Sequence, residues 1–427
     1  MTDILPPDTA AAPATATATA TAPGGRPPAA AAGEPPALPF HRPGPLEPAP
    51  EYARMRAGCP VAPVRLPSGD RAYLAASYEA ARTVLSDPRF SRAATTRPGA
   101  PRVGPAPQTF PSLLNMDPPE HTRVRRIISR EFTARRVEAL RPLIQQHTDA
   151  LLDRLDTRNP PVDLVPEFTL RLPVLVICDL LGVPSSDQDR FAAFSSGWLS
   201  TGAGSAEEML AAQAGLRGYL VELVAAKRER PGDDLLSALV AVGDAEDGRL
   251  SEEELLFLGV SLLVNGHETT AKQIANGLLA LLTHPRGKDW AAQGPEVLNR
   301  TVEELLRLYP PGDEGLLRIA LEDVELDGTR IPAGSAVLPG IGSANRDGCP
   351  FPRPEQLDPE RPANPHLTFG HGAHYCLGGS LARAELQIAL GSLLRRFPGL
   401  RLTVPLAEIP RAAGLLVHGV SALPVTW

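Results

Sequence analysis

The stretch that decides the fold is FGHGAHYCLGG, Phe369 to Gly379, near the C-terminal end of the 427-residue chain. It places Cys376 among glycines and histidines, directly before the helical pattern LGGSLARAELQIALGSLL. A thiolate at the start of a helix is stabilised by backbone N–H groups and by the positive end of the helix dipole. Glycines also allow a ligand to approach the backbone closely. Cys376 is therefore predicted to be a reactive or ligating thiolate, unlike Cys178 in PVLVICDLLGVP, which fits a core position.

Two kinds of site are open for Cys376. One is a zinc- or cysteine-dependent hydrolase site shared with His371 and His374, although the chain has no second cluster at zinc spacing. The other follows from a resemblance, because the pattern FGxGxxxCxG at residues 369–378 resembles the haem-binding loop of the cytochrome P450 monooxygenases. The resemblance implies that Cys376 is the axial ligand of the iron of haem b. It also assigns two further loop residues to the cofactor site, Phe369 and Gly378.

A charged pair on another predicted helix adds to the resemblance. Glu304 and Arg307, in EELLRLYPP, are three residues apart on one helical face and can pair. Taken alone they fit a solvated surface ion pair of little energetic value. They also resemble the Glu-x-x-Arg pair of the same family, whose third member is matched by Arg361 in DPERPANPHLTFG. The resemblance implies a structural triad behind the haem that takes no part in catalysis.

A long predicted helix carries polar residues at its centre. Ser251 and Glu254 predict a capping box at its start, and VNGHETTA lies among leucines and valines further on. A buried acid beside a hydroxyl is costly without a task, although a polar kink near Gly266 is equally compatible with the residues alone. The segment resembles the family's distal helix. Glu268 and Thr269 then match the acid–alcohol pair that delivers protons during dioxygen activation.

Asn265 departs from the family pattern, which has alanine or glycine at the matching position. Its amide is able to hydrogen-bond a substrate, water or the iron-bound ligand, so we predict that Asn265 contributes to the substrate pocket. The loop 93–115 and the helix pair spanning 186–229 are predicted to shape the rest of that pocket, because long Pro- and Gly-rich loops inside a domain are usually functional.

The two propionates of haem require cationic donors. The segment PPEHTRVRR places His121 and Arg125 four residues apart on one helical face, Arg318 lies in GLLRIA, and His374 lies in the cysteine loop. Each alone fits a surface cation. All four match propionate ligands of the family, and the resemblance implies that role here.

A basic segment suggests where electrons arrive. Between His121 and Pro142 there are seven arginines (123, 125, 126, 130, 135, 136 and 141) against Glu131 and Glu138, a local charge of +5 in a chain of −7. It fits either a solvated helix face or a docking surface for an acidic redox protein. No flavin or nicotinamide fingerprint is present, so electrons from NAD(P)H are expected through a separate ferredoxin reductase and ferredoxin.

Composition limits the other classes of function. The formal charge of −7 gives no reason to expect nucleic acid as a partner, and no apolar stretch predicts a membrane span. The N-terminus lacks the features of a secretory signal. The four cysteines are scattered, which fits a reducing compartment and predicts a cytoplasmic protein.

The predicted architecture is mainly α with small β-sheets, in the cytochrome P450 fold. Residues 1–37 are predicted to be a disordered Ala/Thr/Pro-rich tail, and residues 38–427 a single cytochrome P450 domain. We predict a hairpin over 61–77, short strands over 315–339, a long loop over 93–119 and a set of helices. The predicted helices begin with one in YEAARTVLSDPRF, from Tyr78 and stopped by Pro88, and continue with 119–130, 133–154, 167–182, 186–197, 206–229, 233–243, 251–283, 295–308 and 377–397.

The expected reaction is insertion of one oxygen atom from O2 into a C–H or C=C bond of a hydrophobic small molecule. Secondary metabolites such as polyketides are the leading substrate class, so the protein is expected to be a tailoring hydroxylase or epoxidase. Within the family, C–C or C–O coupling, ring formation and decarboxylation stay open. A haem protein that transfers electrons or binds ligands without oxygenation is the alternative of another class.

Overall fold

Helices dominate the computed structural model, which describes residues 34–104, 112–188, 206–245, 250–412 and 417–427. In the longer helices apolar residues recur at helical spacing, and this periodicity buries at least one face. The described α-helices are α1 (Pro50–Gly58), α2 (Tyr78–Ser86), α3 (Glu120–Ile128), α4 (Ala134–Asp156), α5 (Arg171–Leu181), α6 (Ala206–Glu229), α7 (Leu235–Gly243), α8 (Glu252–Thr283), α9 (Gly287–Ala292), α10 (Pro295–Leu308), α11 (Ile341–Ala344) and α12 (Gly379–Arg396).

The β structure is minor, as predicted. A five-stranded sheet has the order β1-β2-β8-β5-β3, in which β2 and β8 are parallel and the other pairs are antiparallel. Smaller sheets pair β6 with β7, β10 with β11, and β12 with both β4 and β9. The strands are β1 (Val61–Arg65), β2 (Arg71–Ala75), β3 (Phe90–Ser91), β4 (Val162–Asp163), β5 (Arg318–Ala320), β6 (Val324–Leu326), β7 (Thr329–Ile331), β8 (Ala336–Pro339), β9 (Arg401–Leu402), β10 (Arg411–Ala412), β11 (Gly419–Val420) and β12 (Pro424–Thr426).

Most predicted elements are present, with some differences. The helices predicted over 206–229 and 295–308 have the observed bounds, and β1 and β2 form the predicted hairpin. The helix predicted from residue 167 begins instead with a π-helical turn at Val165–Thr169, and α5 follows it. Most of the helix predicted over 186–197 lies outside the described residues, as does the predicted tail except its last few residues.

The longest helix, α8, passes through the apolar core. Residues Leu255 to Val264 belong to one buried cluster, together with side chains of α5, α6 and α7. Residues Ile274 to Leu281 belong to a second cluster, shared with α4, α10 and α12. The polar stretch of α8 therefore lies where the two clusters meet. No described helix is long and apolar enough to cross a membrane.

The triad residues lie together in the interior. Glu304 Oε1 accepts hydrogen bonds from Arg307 Nε at 2.7 Å and from Arg361 Nε at 3.0 Å. Glu304 and Arg307 are 1% and 0% exposed, so the interpretation as a solvated surface pair is wrong. Arg307 also donates to the carbonyl oxygens of Asn345 and Gln356. These contacts join α10 to the irregular segment that precedes the cysteine loop.

We expect Glu304→Gln to lower the free energy of unfolding by about 3 kcal/mol, because Arg307 keeps its buried charge and loses its counterion. Urea unfolding measures this change. Glu296→Gln is the matched control, since Glu296 pairs with Arg300 at 2.8 Å on the exposed face of the same helix. It should change stability by less than about 0.5 kcal/mol. Equal losses in the two variants would contradict a dominant role for the buried pair.

Candidate functional site

The cysteine loop is closed by backbone geometry that requires glycine. The Cys376 N–H donates to the Phe369 carbonyl oxygen at 2.7 Å, which closes the loop before α12 begins. Gly370 and Gly372 have φ values of +74° and +72°, a region that side chains rarely adopt. A Cβ on Gly372 would also lie 3.0 Å from the Leu85 carbonyl oxygen, so the C-terminal end of α2 packs directly against the loop.

The Cys376 thiol lies in a mixed environment. Its side chain is exposed, yet burial is the first cause acting on it and raises the pKa of the thiol. The Gly378 N–H and the charges of Arg125 and Arg383 act in the opposite direction and favour the thiolate. A Cβ on Gly378 would meet no protein atom within 4 Å, so the neighbouring backbone is equally open.

Positive charge converges beside this loop. The rings of His121 and His374 are 4.2 Å apart between centroids, and Arg318 is 2% exposed. The pKa of His374 falls to about 3 because of burial first, followed by the fields of His121, Arg318 and Arg92. Asp117 is the one carboxylate that acts against this shift among the described residues. His374 is therefore neutral at neutral pH, and Arg92 and Arg318 are the buried cations of this group, with Asp117 as the nearby carboxylate.

Unpaired polar atoms indicate which kind of ligand these side chains can bind. His121 Nε2 and Arg318 Nε are buried and have no hydrogen-bond partner among the described residues. Arg125 is already engaged, because its Nη2 donates to the Tyr375 carbonyl oxygen at 2.6 Å. Unpartnered N–H donors suit the carboxylates of the haem propionates. An accessible cysteine beside them suits the haem iron as a ligand. The residues present therefore fit this cofactor.

Arg92 is a member of this group that the sequence did not reveal. It is 2% exposed and donates to the Leu114 carbonyl oxygen and to Asn115 Oδ1, each at 2.7 Å. Burial, and then the charge of Arg318, lowers the pKa of Arg92 to about 9. An arginine that follows a short strand has the appearance of a surface cation, so no sequence signal separates it from the exposed arginines.

The polar stretch of α8 is helical throughout. The predicted capping box of Ser251 and Glu254 is present, and α8 runs without interruption from Glu252 to Thr283. A Cβ on Gly266 would lie 3.0 Å from Ile177 Cδ1. Gly266 therefore allows α5 to pack closely against α8, which accounts for this glycine better than a kink.

The two residues of the predicted acid–alcohol pair, Glu268 and Thr269, differ from each other in their hydrogen bonding. Thr269 Oγ1 donates to the Asn265 carbonyl oxygen at 2.9 Å, one turn back along α8. Glu268 Oε2 is buried and has no hydrogen-bond partner among the described residues. Burial raises the pKa of Glu268, and the positive charge of Lys272 acts against this increase. Glu268 is thus a carboxyl group whose proton affinity is raised.

One polar atom of the Asn265 side chain remains available to bind another molecule. Its Nδ2 donates to the carbonyl oxygen and to Oγ of Ser261, at 2.7 and 3.1 Å. The donor is therefore occupied within α8, whereas Oδ1 accepts no hydrogen bond from a described residue. The residue is exposed at the surface of the helix. Asn265 is able to accept a hydrogen bond from a molecule beside α8.

The basic segment is only partly neutralised. Arg123 pairs with Glu254, Arg136 with Glu131 at 3.1 Å, and Arg141 with Glu138 at 2.9 Å. The remaining exposed arginines, at positions 126, 130 and 135, form no ion pair with a described residue. A net positive surface therefore remains along α3 and the start of α4.

A helical protein with an exposed loop cysteine near buried arginines has the features expected of a haem-thiolate protein. The family model described as cytochrome P450 matches residues 295–410. Nocardicin C N-oxygenase from Nocardia uniformis is 49% identical over 91% of this chain and 98% of its own length. Mycinamicin IV hydroxylase/epoxidase from Micromonospora griseorubida is 45% identical over 92% and 99%. The chain belongs to the cytochrome P450 family.

Solved structures support the same assignment. The LnmA cytochrome P450 hydroxylase of Streptomyces atroolivaceus matches with a TM-score of 0.83 and 46% identity, over 92% of this chain and all of that one. A cytochrome P450 with biaryl coupling reactivity matches with a TM-score of 0.85 and 40% identity, over 92% and 99%. The predicted fold class is confirmed, and so is the monooxygenase class. The hydrolase alternative is wrong, and the described residues contain no group of metal-ligating side chains at His371.

We expect Cys376→Ser to abolish the red-shifted Soret band that thiolate ligation gives to the reduced carbon monoxide complex. A hydroxyl is a far weaker donor to iron than a thiolate. Absorption spectra of the purified protein measure this change. Cys349→Ser is the matched control, because Cys349 is also a free and exposed cysteine but lies outside the loop. An unchanged band in Cys376→Ser would contradict sulfur ligation at this position.

Proposed function

We propose that this protein is a tailoring monooxygenase of secondary metabolism that hydroxylates or epoxidises a hydrophobic small molecule. The observation that carries the proposal is that the domain has both an accessible Cys376 in a glycine-rich loop and a polar stretch in α8 with an unpartnered buried acid. The relatives named above include an N-oxygenase and a hydroxylase/epoxidase, which supports an oxygenation reaction. A polyketide-like substrate is part of the proposal.

The proposal assigns the cofactor site to the cysteine loop and the nearby cations. Cys376 would bind the iron of haem b, and Phe369 and Gly378 would contribute to the same cofactor site. The propionates would be bound by His121, Arg125, Arg318 and His374, and the support for this is their convergence and the unpaired buried nitrogens described above. Haem bound in this way supplies the reductive activation of O2.

The roles proposed for α8 concern protons and substrate. Glu268 would hold a proton and release it toward the site, since burial raises the pKa of its carboxyl group. The Thr269 hydroxyl donates to the Asn265 carbonyl oxygen, and its oxygen is then oriented to accept that proton and pass it on. Asn265 would accept a hydrogen bond from a substrate N–H or O–H group through Oδ1. Glu304, Arg307 and Arg361 would keep the structural role expected of them.

Electron supply and location complete the proposal. Electrons from NAD(P)H would reach the protein through a ferredoxin reductase and an acidic ferredoxin, supported by the positive surface along α3 and α4. A cytoplasmic location is consistent with four free cysteines in the structure.

Other oxidative outcomes are favoured by one neighbour in particular. The biaryl-coupling cytochrome P450 has a TM-score of 0.85 to this chain, so the same fold supports coupling as well as oxygen insertion. Turnover under isotopically labelled dioxygen separates them. A screen for ligands that shift the Soret band first supplies a substrate. Label in the product supports oxygenation, whereas a coupled product without label supports the alternative.

We expect Thr269→Ala to lower the yield of product per NAD(P)H by about tenfold and to release peroxide, because a positioned hydroxyl is lost from proton delivery. Product and peroxide are measured together. Thr270→Ala is the matched control, since the Thr270 hydroxyl makes the equivalent bond to the Gly266 carbonyl oxygen at 3.2 Å but is 5% exposed. Full yield in Thr269→Ala, or the same loss in both variants, would overturn the proposed role.

We expect Arg130→Glu to slow reduction by ferredoxin several-fold at low salt, since it reverses a charge on the positive surface. The difference from the unmodified protein should fade as salt is added. Stopped-flow reduction measures the rate. Arg401→Glu carries the same charge change on β9 and should have little effect. Equal slowing in the two variants would indicate a response to net charge alone.

A further inference from the structure

Lys272 lies one helical turn beyond Glu268 on α8, within the polar stretch between the two core clusters. Its Nζ donates to the Val420 carbonyl oxygen of β11 at 3.2 Å. The side chain is half-buried, and a lysine in the interior is costly unless its charge has a task or a partner. Residues four apart on a helix face the same direction, so the ammonium and the Glu268 carboxyl share one face of α8.

The strand that holds Lys272 is itself fixed to α8. The Val420 N–H donates to Asn276 Oδ1 at 3.2 Å, so two side chains four residues apart bind the backbone of one residue on β11. A Cβ on Gly419 would lie 2.8 Å from Asn276 Oδ1, which shows how closely the strand approaches the helix. A lysine on a flexible stem would otherwise extend toward water. Val420 therefore keeps the ammonium beside α8.

Glu268 and Lys272 influence one another electrostatically. Burial raises the pKa of Glu268, and Lys272 lowers it. In the opposite sense, burial lowers the pKa of Lys272, and Glu268 raises it. No hydrogen bond joins the two side chains, and Glu268 Oε2 has no partner among the described residues. The carboxylate is thus stabilised by a nearby charge and remains available to exchange a proton.

Apart from Glu385, whose buried Oε2 has no hydrogen-bond partner among the described residues, the main charged groups on the elements that pack against α8 are paired with other residues. The pairs are Asp179 with His147, Arg383 with Glu303, Arg307 with Glu304, Lys227 with Asp234, Arg228 with Asp244 and His418 with Asp313. His267, next to Glu268, directs Nδ1 to the Leu263 carbonyl oxygen at 2.8 Å, and Glu385 on α12 is buried. Within the described ranges, Lys272 is the charged group that acts on the pKa of Glu268.

We propose that Lys272 is a positioning residue for oxygen activation: Val420 holds its ammonium near Glu268, where it favours the carboxylate and allows proton release at neutral pH. The proton leaves the carboxyl group toward the site, and the carboxylate regains one from water. A carboxyl group buried without this charge would retain its proton and serve poorly as a donor. This inference rests on the proposed role of Glu268.

The test compares Lys272→Met, which removes the charge, with Lys272→Arg, which keeps it. The first readout is the infrared absorbance of the protonated Glu268 carboxyl group across pH, assigned through Glu268→Gln, and it requires no turnover. The second is product formed per NAD(P)H across pH. In Lys272→Met we expect the carboxyl band to persist to higher pH and the yield at neutral pH to fall several-fold. Lys272→Arg should retain both profiles.

A purely structural role is tested with Asn276→Ser, which removes the bond from the Val420 N–H and leaves Lys272 and its bond to the Val420 carbonyl oxygen in place. We expect it to lower the melting temperature without moving the infrared titration. The inference is overturned if Lys272→Met leaves that titration unmoved, or if Asn276→Ser moves it equally. Full product yield in Glu268→Gln would instead overturn the proposed acid role of Glu268, so the two failures are distinguishable.

Discussion

Buried positive charge is the constraint on which the rest of the site depends. Arg92 and Arg318 are each 2% exposed, and Asp117 is the one described carboxylate that acts on the pKa of either arginine. Moving cations out of water is costly, and hydrogen bonds to carbonyl oxygens, such as those of Arg92, offset only part of that cost. Under the proposed function, the propionates of haem would offset the remainder. Haem binding is therefore expected to stabilise the folded state, because the unfolded chain has no such group of cations.

The position of the polar stretch follows from how α8 is packed. Each half of the helix is surrounded by its own apolar cluster, and the two clusters give way to polar residues between Val264 and Ile274. At this junction α5 approaches closely at Gly266, and β11 approaches at Asn276. The helix can therefore carry an acid, two hydroxyls and a lysine without breaking either core. The stability of the fold and the chemistry of the site occupy different residues of one helix.

Sequence patterns predicted the long elements well and the buried polar contacts poorly. α6 and α10 have their predicted bounds because an amphipathic period over many residues leaves little choice. The short helices α1, α9 and α11 were missed, since one or two turns give too few repeats of the pattern.

Polar residues needed the tertiary structure. The spacing of Glu304 and Arg307 indicated a pair, but only the fold shows that it is fully buried and joined by Arg361. Arg92 could not be separated from the surface arginines for the same reason. Burial depends on contacts between residues far apart in the chain, such as Arg92 with Leu317. The local periodicity of the sequence does not reveal such contacts. The cysteine loop was identifiable because its glycines are demanded locally, by backbone angles at Gly370 and Gly372.

The fold and the cofactor site do not by themselves determine which reaction the protein performs. Relatives and neighbours at 40–49% identity include an N-oxygenase, a hydroxylase/epoxidase and a biaryl-coupling enzyme. One cofactor on one fold thus serves several outcomes, and the difference must arise from how a substrate is held against it. Asn265 bears on this through its proposed role, because its amide donor is occupied by Ser261 and its oxygen accepts no hydrogen bond from a described residue. Under that proposal, a side chain larger than alanine or glycine at this position would restrict the space beside Thr269 and would favour substrates that present N–H or O–H groups there.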